Sequence, residues 1–286
     1  MLASFEIISL QSYREEYPRL AAALGRAGAV PARGELEFLA QLSESDYSGV
    51  GMLPPPDIFF AAAVTSILAP PIAIEIGTAS GFSAAILAKI IALRQADEGA
   101  PGAETFLHTI DYKDRYFGDP GQPVGFAIDR IAPELRDKIA IHPLQDSSLC
   151  QQLVREGELS FAFVDGNHQH PWPLLDVLRL QRLMASGWIL LHDIDLPALI
   201  ARFRAEGQTV EFSPSSGAKH VFDFWPDEKI RAGNIGAVKI PRARESLDEL
   251  VGELRALPSE VSAGSWKKRW REIDVLDNGS ALRRWL

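Results

Sequence analysis

A chain of 286 residues, 47% apolar and 23% charged, has the balance of a globular protein with one sizeable core, which excludes a fibrous or fully disordered one. Its formal net charge of -9 offers no general attraction to phosphate backbones or anionic lipid, so neither nucleic acid nor a membrane is an expected partner. The single cysteine, Cys150, cannot form an internal disulfide, which suits a cytoplasmic setting.

The first residues reach Arg14, Glu15 and Glu16 too early for a signal peptide. Apolar stretches such as residues 59–67 fall well short of the roughly 20 residues that a bilayer crossing needs. Helical patterns are read at residues 12–25, 33–42 and 56–68, the last entered through Pro54, Pro55 and Pro56. Short apolar runs follow at 72–76, 105–110, 139–142, 161–164 and 188–191, each of a length and character suited to a strand buried on both faces. Helical stretches at 83–94, 125–135, 148–156 and 174–184 separate them. This alternation predicts an α/β, Rossmann-like, doubly wound and mostly parallel sheet.

Beyond Asp195 a helix is expected at 197–206 and strands at 209–212, 221–225 and 234–240, the last two forming an antiparallel edge hairpin. A helix at 246–257 and a basic end carrying Trp266, Trp270 and Ile273 at helical spacing complete the chain. The predicted organisation is an N-terminal helical extension (1–70), a central domain (71–240) and a C-terminal helical extension (241–286). The indoles of the last segment are expected to pack on the domain or on a second copy in a homodimer, ahead of an alternative as a helix lying on a membrane surface.

Residues 72–87, IAIEIGTASGFSAAIL, read as a buried strand, a glycine-rich turn and a small-residue helix. Gly77 permits a tight turn, Gly81 a close start to the helix, and the helix N-terminus offers free N–H groups. A dinucleotide fingerprint requires a glycine where this turn has Ala79, which disfavours a nicotinamide-dependent oxidoreductase. Glu75, two residues before Gly77, suits the cationic end of S-adenosylmethionine. Asp111 ends the next strand, where its carboxylate suits ribose hydroxyls, and Asp146 with Ser147 follows the third strand near the expected adenine edge.

The fourth strand ends FAFVDGNHQHPW and the fifth WILLHDID, placing Asp165 and Asp193 at neighbouring carboxyl ends, where open α/β sheets bind ligands. With His168 and His192 beside them they form a candidate site for a divalent cation such as magnesium. Methyl transfer from a sulfonium needs an aligned acceptor and a base for its proton, and His168 is the expected base.

Together EIGTASGFS, TIDYKD, FVDGNH and LMASGWILLHD resemble the class I S-adenosylmethionine-dependent methyltransferases, particularly the catechol O-methyltransferase-like group and the antibiotic-pathway sugar O-methyltransferases. The resemblance covers residues 71–195 and extends loosely to 240. It implies that Glu75, Gly77, Thr78, Ala79 and Ser83 surround the methionine moiety, Asp111 the ribose, and Asp146 with Ser147 the adenine. It implies metal ligands at Asp165 and Asp193, with His192 or a carboxylate from outside the motif standing in for a third, and a catalytic role for His168 beside Asp165, on a small-molecule acceptor. Ile194 departs from the pattern, since the catechol-type enzymes carry asparagine there. That departure keeps a non-catalytic S-adenosylmethionine-binding module among the readings. In relatives the segment at 43–56 closes over the methyl donor, which makes Tyr47 and Met52 candidate lid residues.

Overall fold

A run such as FAFV is apolar on both faces and can only be an interior strand covered on each side, and AIEI is buried along its whole length despite its one acid, Glu75. The computed structural model describes residues 2–46, 50, 53–99, 105–210, 214–240 and 245–277. In chain order these form β1 (Leu2–Ser4), α1 (Leu10–Ala23), α2 (Glu35–Glu44), α3 (Pro55–Leu68), β2 (Ala73–Ile76), α4 (Phe82–Asp97) and β3 (Leu107–Ile110). Next come the short α5 (Ile128–Ile131), β4 (Ile139–His142), the short α6 (Cys150–Leu153), β5 (Phe161–Val164), α7 (Trp172–Gln181) and β6 (Trp188–His192). The remainder is α8 (Leu196–Ala205), α9 (Gly217–Phe224), β7 (Lys229–Ala232), β8 (Ile235–Lys239), α10 (Glu245–Arg255) and α11 (Ala263–Asp277). Tyr47 and Met52 lie outside the described residues. Among those residues no helix is long and apolar enough to cross a membrane.

The strands make one mixed sheet in the order β1-β7-β8-β6-β5-β2-β3-β4. From β2 the chain winds outward through β3 to β4, then returns to place β5 on the other side of β2 and continues to β6, all five being parallel. The reversal between β2 and β5 is a topological switch point, and a crevice opens there at the carboxyl ends of the strands. β8 runs antiparallel to both β6 and β7, and β1 pairs parallel to β7 at the sheet's edge.

Side-chain alternation along the strands divides the core. Phe161 and Phe163 face a cluster with α1, α3 and α4, while Ala162 and Val164 face another with α7, α9, α10 and α11. Glu35 is fully buried under the first cluster. It accepts hydrogen bonds from Tyr13, from Ser66 at 2.5 Å and from the Ala32 amide at 2.7 Å, tying α1, α2 and α3 together. Under the second, Trp270 and Ile273 are buried, the Arg269 guanidinium lies 3.9 Å over the Trp172 ring, and Arg179 reaches Glu272 at 3.3 Å. The C-terminal indole stripe thus packs within the same molecule.

Four expectations need correction. Residues 221–225 are not a strand: Ala218, Val221 and Phe222 are buried at helical spacing in α9, and the hairpin partner of β8 is β7, turned through Gly233 at φ +59°. The hairpin is also not the edge, since β1 lies outside it. Thr209 and Val210 carry no strand, and the rest of that run lies outside the described residues. The helix expected at 125–135 is reduced to α5 and a 3-10 turn, because Pro133 cannot continue it.

Gly77, at φ +102°, is where the switch point closes: a Cβ there would overlap the backbone carbonyl of Asp165. Gly77→Ala is therefore expected to cost about 3 kcal/mol or more, through both the left-handed backbone and the clash. A urea midpoint equal to that of the unaltered protein would refute this.

Candidate active site

The turn after β2 is held from three sides. The Gly77 amide donates to the Ile110 carbonyl (2.8 Å), the Gly81 amide to Thr78 (2.7 Å), and the Gly125 amide to Ala79 (3.0 Å). Ala79 takes a left-handed conformation at φ +45°. Asp111 fastens this turn to the end of β3, accepting from the Ala79 amide through Oδ2 and from the Lys113 amide through Oδ1, both at 2.9 Å. Each oxygen keeps a second lone pair for a ligand hydroxyl.

Glu75 is fully buried directly beneath the turn. Its Oε2 accepts from Thr109 at 2.5 Å, and Thr109 in turn accepts from Thr78 at 2.7 Å. Its Oε1 has no well-formed hydrogen bond, although the Ser83 hydroxyl is near enough to favour the ionised form. Burial dominates and pushes the carboxyl up to about 8, helped by the Asp165 and Asp111 charges. A buried acid with an unpaired oxygen is what a cationic ligand group would satisfy. Glu75, Gly77, Thr78, Ala79, Ser83 and Asp111 thus form one neighbourhood.

Asp146 and Ser147 are placed differently. Asp146 accepts from the Ser148 amide at 2.8 Å, an ordinary turn cap. Ser147 is turned inward, donating to the buried Asp176 and accepting from Arg179 at 2.8 Å. Its hydroxyl serves the link between this loop and α7.

Across the switch point, Asp165 and Asp193 stand at the ends of β5 and β6. His168 Nε2 lies 3.2 Å from Asp193 Oδ2 and 3.7 Å from Asp165 Oδ1. His192 is bracketed: Nδ1 is 2.9 Å from Asp165 Oδ1 and Nε2 is 3.0 Å from Asp57 Oδ2. Burial opposes its protonation, but Asp165, Asp57 and Asp193 outweigh that and hold it well above the ordinary histidine range. Burial raises Asp57, with the His192 contact pulling it back. Asn234 Nδ2 donates to Asp193 Oδ1 at 2.6 Å, and Asp193 sits at φ +60°.

Two members of this cluster, Asp57 and Asn234, were not anticipated. Asp57 had a signal, as the one acid in the otherwise apolar or small run of α3. Asn234 beside Gly233 had only the ordinary signature of a turn.

A hard cation such as magnesium needs several free oxygen lone pairs in near-octahedral array. Here both His192 nitrogens face carboxylates, Asp165 Oδ1 is engaged by His192 and Asp193 Oδ1 by Asn234. Among the described residues no group of three or more His, Cys, Asp or Glu side chains is arranged to hold a metal ion. In the set expected to hold magnesium, Asp165, Asp193 and His192, both His192 nitrogens and one oxygen of each aspartate are engaged in these hydrogen bonds.

A family described as a methyltransferase domain matches residues 74–194. No curated protein matches the chain. Among solved structures, an O-methyltransferase from Bacillus cereus in complex with SAH is similar at 14% identity and TM-score 0.45, over 82% of this chain and 100% of that one. The SAH-bound Podospora anserina methyltransferase PaMTH1 is similar at 16% identity and TM-score 0.41, over 85% and 88%. The O-methyltransferase TomG from Streptomyces achromogenes, in complex with SAM, gives 13% identity and TM-score 0.38, over 72% and 82%. Residues 74–194, from the buried strand that leads into the glycine turn to the residue after Asp193, are thus similar to a methyltransferase domain.

Proposed function

We propose that the protein transfers a methyl group from S-adenosylmethionine to a hydroxyl of a small molecule, with His168 as general base. The observation that carries this reading is the pairing, across one switch point, of a buried acid with one oxygen short of a hydrogen bond and a histidine set against two aspartates. The first suits a cationic donor and the second an acceptor that must lose a proton. When bound, S-adenosylmethionine supplies an electrophilic methyl group on its sulfonium.

Glu75 Oε1 would receive the donor's ammonium, the turn from Gly77 to Ser83 its methionine part, and Asp111 the ribose hydroxyls, with Asp146 at the adenine end. The acceptor oxygen bonds to the methyl carbon as the sulfur–carbon bond breaks. The hydroxyl proton passes to His168. With Nε2 facing Asp193 and Asp165, the nitrogen left to accept it is Nδ1, and the two carboxylates stabilise the imidazolium that results. No step of this mechanism runs through a metal.

Calorimetry should find binding of S-adenosylhomocysteine and none of NAD; the reverse result would sink the reading. His168→Ala should bind S-adenosylhomocysteine within about threefold of the unaltered protein. In a screen of hydroxylated acceptors followed by S-adenosylhomocysteine release, it should lose about 10²- to 10⁴-fold in kcat. Turnover by the unaltered protein should survive a chelator, and recovery only on adding magnesium would contradict the assignment.

Glu75 supplies a pH test. Its carboxyl ionises near 4.5 ordinarily and at about 8 in the fold, so the free folded protein keeps a proton that the unfolded chain has released. The stability linked to that proton is complete below about 4.5 and is lost as pH rises through about 8. Glu75→Gln should accordingly change urea stability little at acid pH and raise it above pH 8, while weakening S-adenosylhomocysteine binding by about tenfold or more. Equal stability changes at both pH values would count against it.

A further inference from the structure

We infer that Asp57, on the N-terminal helix α3, is a positioning residue of the methyl-transfer site, acting on Asp165 through His192. The inference rests on the reading above.

Asp57 occupies the first turn of a helix whose following residues, to Ile67, are all buried, and it is itself only 2% exposed. A carboxylate there has an obvious local use, because an acid in a first helical turn favours the free amides and the helix dipole. Its Oδ2 instead lies 3.0 Å from His192 Nε2, a side chain 135 residues away in sequence at the end of β6. The opposite nitrogen, Nδ1, lies 2.9 Å from Asp165 Oδ1 and 3.6 Å from Asp193 Oδ1. The β7–β8 turn closes over the far side: a Cβ added at Gly233 would sit 3.8 Å from Asp57 Oδ1.

An imidazole between two carboxylate acceptors can satisfy both only with a hydrogen on each nitrogen. Asp57 therefore fixes which face of the ring meets Asp165 and keeps Nδ1 a donor. That donor holds Asp165 Oδ1, the same oxygen that faces His168 Nε2 at 3.7 Å. Remove Asp57 and Nε2 loses its acceptor, so His192 can shed that proton and turn about its side-chain bonds, which loosens the bond that holds Asp165 Oδ1 beside His168. The role is one of orientation, since Asp57 touches neither donor nor acceptor. It also makes the N-terminal extension part of the active site.

The test uses the full chain labelled with ¹⁵N-histidine, with His192→Gln to assign the ring signals. In the unaltered protein both His192 ring nitrogens should appear protonated. In the isosteric Asp57→Asn and in Asp57→Ala the pair of protonated signals should be lost or strongly shifted. Asp57→Asn should bind S-adenosylhomocysteine within about threefold of the unaltered protein. On an acceptor found by the screen its kcat should fall about tenfold or more, with the acceptor KM within about threefold.

Unchanged His192 signals in both variants would overturn the inference. So would a fall in turnover matched by an equal loss of S-adenosylhomocysteine affinity, which marks a merely structural residue. The ring signals need neither donor nor acceptor, so they judge Asp57 even if the protein binds no S-adenosylhomocysteine and the methyl-transfer reading fails.

Discussion

The carboxyl edge of the sheet gathers Glu75, Asp111, Asp165 and Asp193, and α3 adds Asp57 to them. Like charges this close, partly withdrawn from water, disfavour one another's ionisation, and the fold must answer each. It does so by different means. Asp111 is supplied with two backbone amides, Asp193 with an asparagine amide, and Asp165 and Asp57 share one imidazole. Glu75, buried and with no well-formed hydrogen bond at Oε1, holds its proton to about pH 8. The site is thus built around one unmet demand for positive charge, placed where a cationic donor would arrive.

The central sheet could be read from sequence because its signals are local. Continuous apolar tetrapeptides separated by helical periods gave the five parallel strands within a residue or two at most ends, and with them the positions of Glu75, Asp111, Asp165 and Asp193. The misread parts lack such signals. β1 is three residues long and is a strand only because β7 pairs with it. β7, KIRA, is half polar, while the more apolar VFDFW nearby looks like a strand and is a helix because its buried face continues from Ala218. Ser147 has a plausible address at a ligand edge, and only the tertiary fold turns it towards Asp176 and Arg179.

The metal expectation came from residue type and position: two aspartates and two histidines at adjacent strand ends. What no linear reading can supply is which lone pairs remain after these groups have met each other. Asp57 and Asn234, from distant segments, take up His192 Nε2 and Asp193 Oδ1. The terminal additions are likewise bound to the catalytic unit by polar contacts, α3 through His192 and α11 through Arg179.

At Gly77 the turn that would cradle the donor lies against the backbone of Asp165, with no room between them for even one methyl group. The Asp165 amide also donates to the Ile76 carbonyl at 2.8 Å, locking the two strand ends in register. On the proposed reading, the groups that would hold donor and acceptor therefore share one piece of main chain, and their separation follows the pitch of neighbouring strands. Side chains around this junction can be exchanged, but the distance between the two strand ends behaves as a ruler that side-chain replacement cannot lengthen.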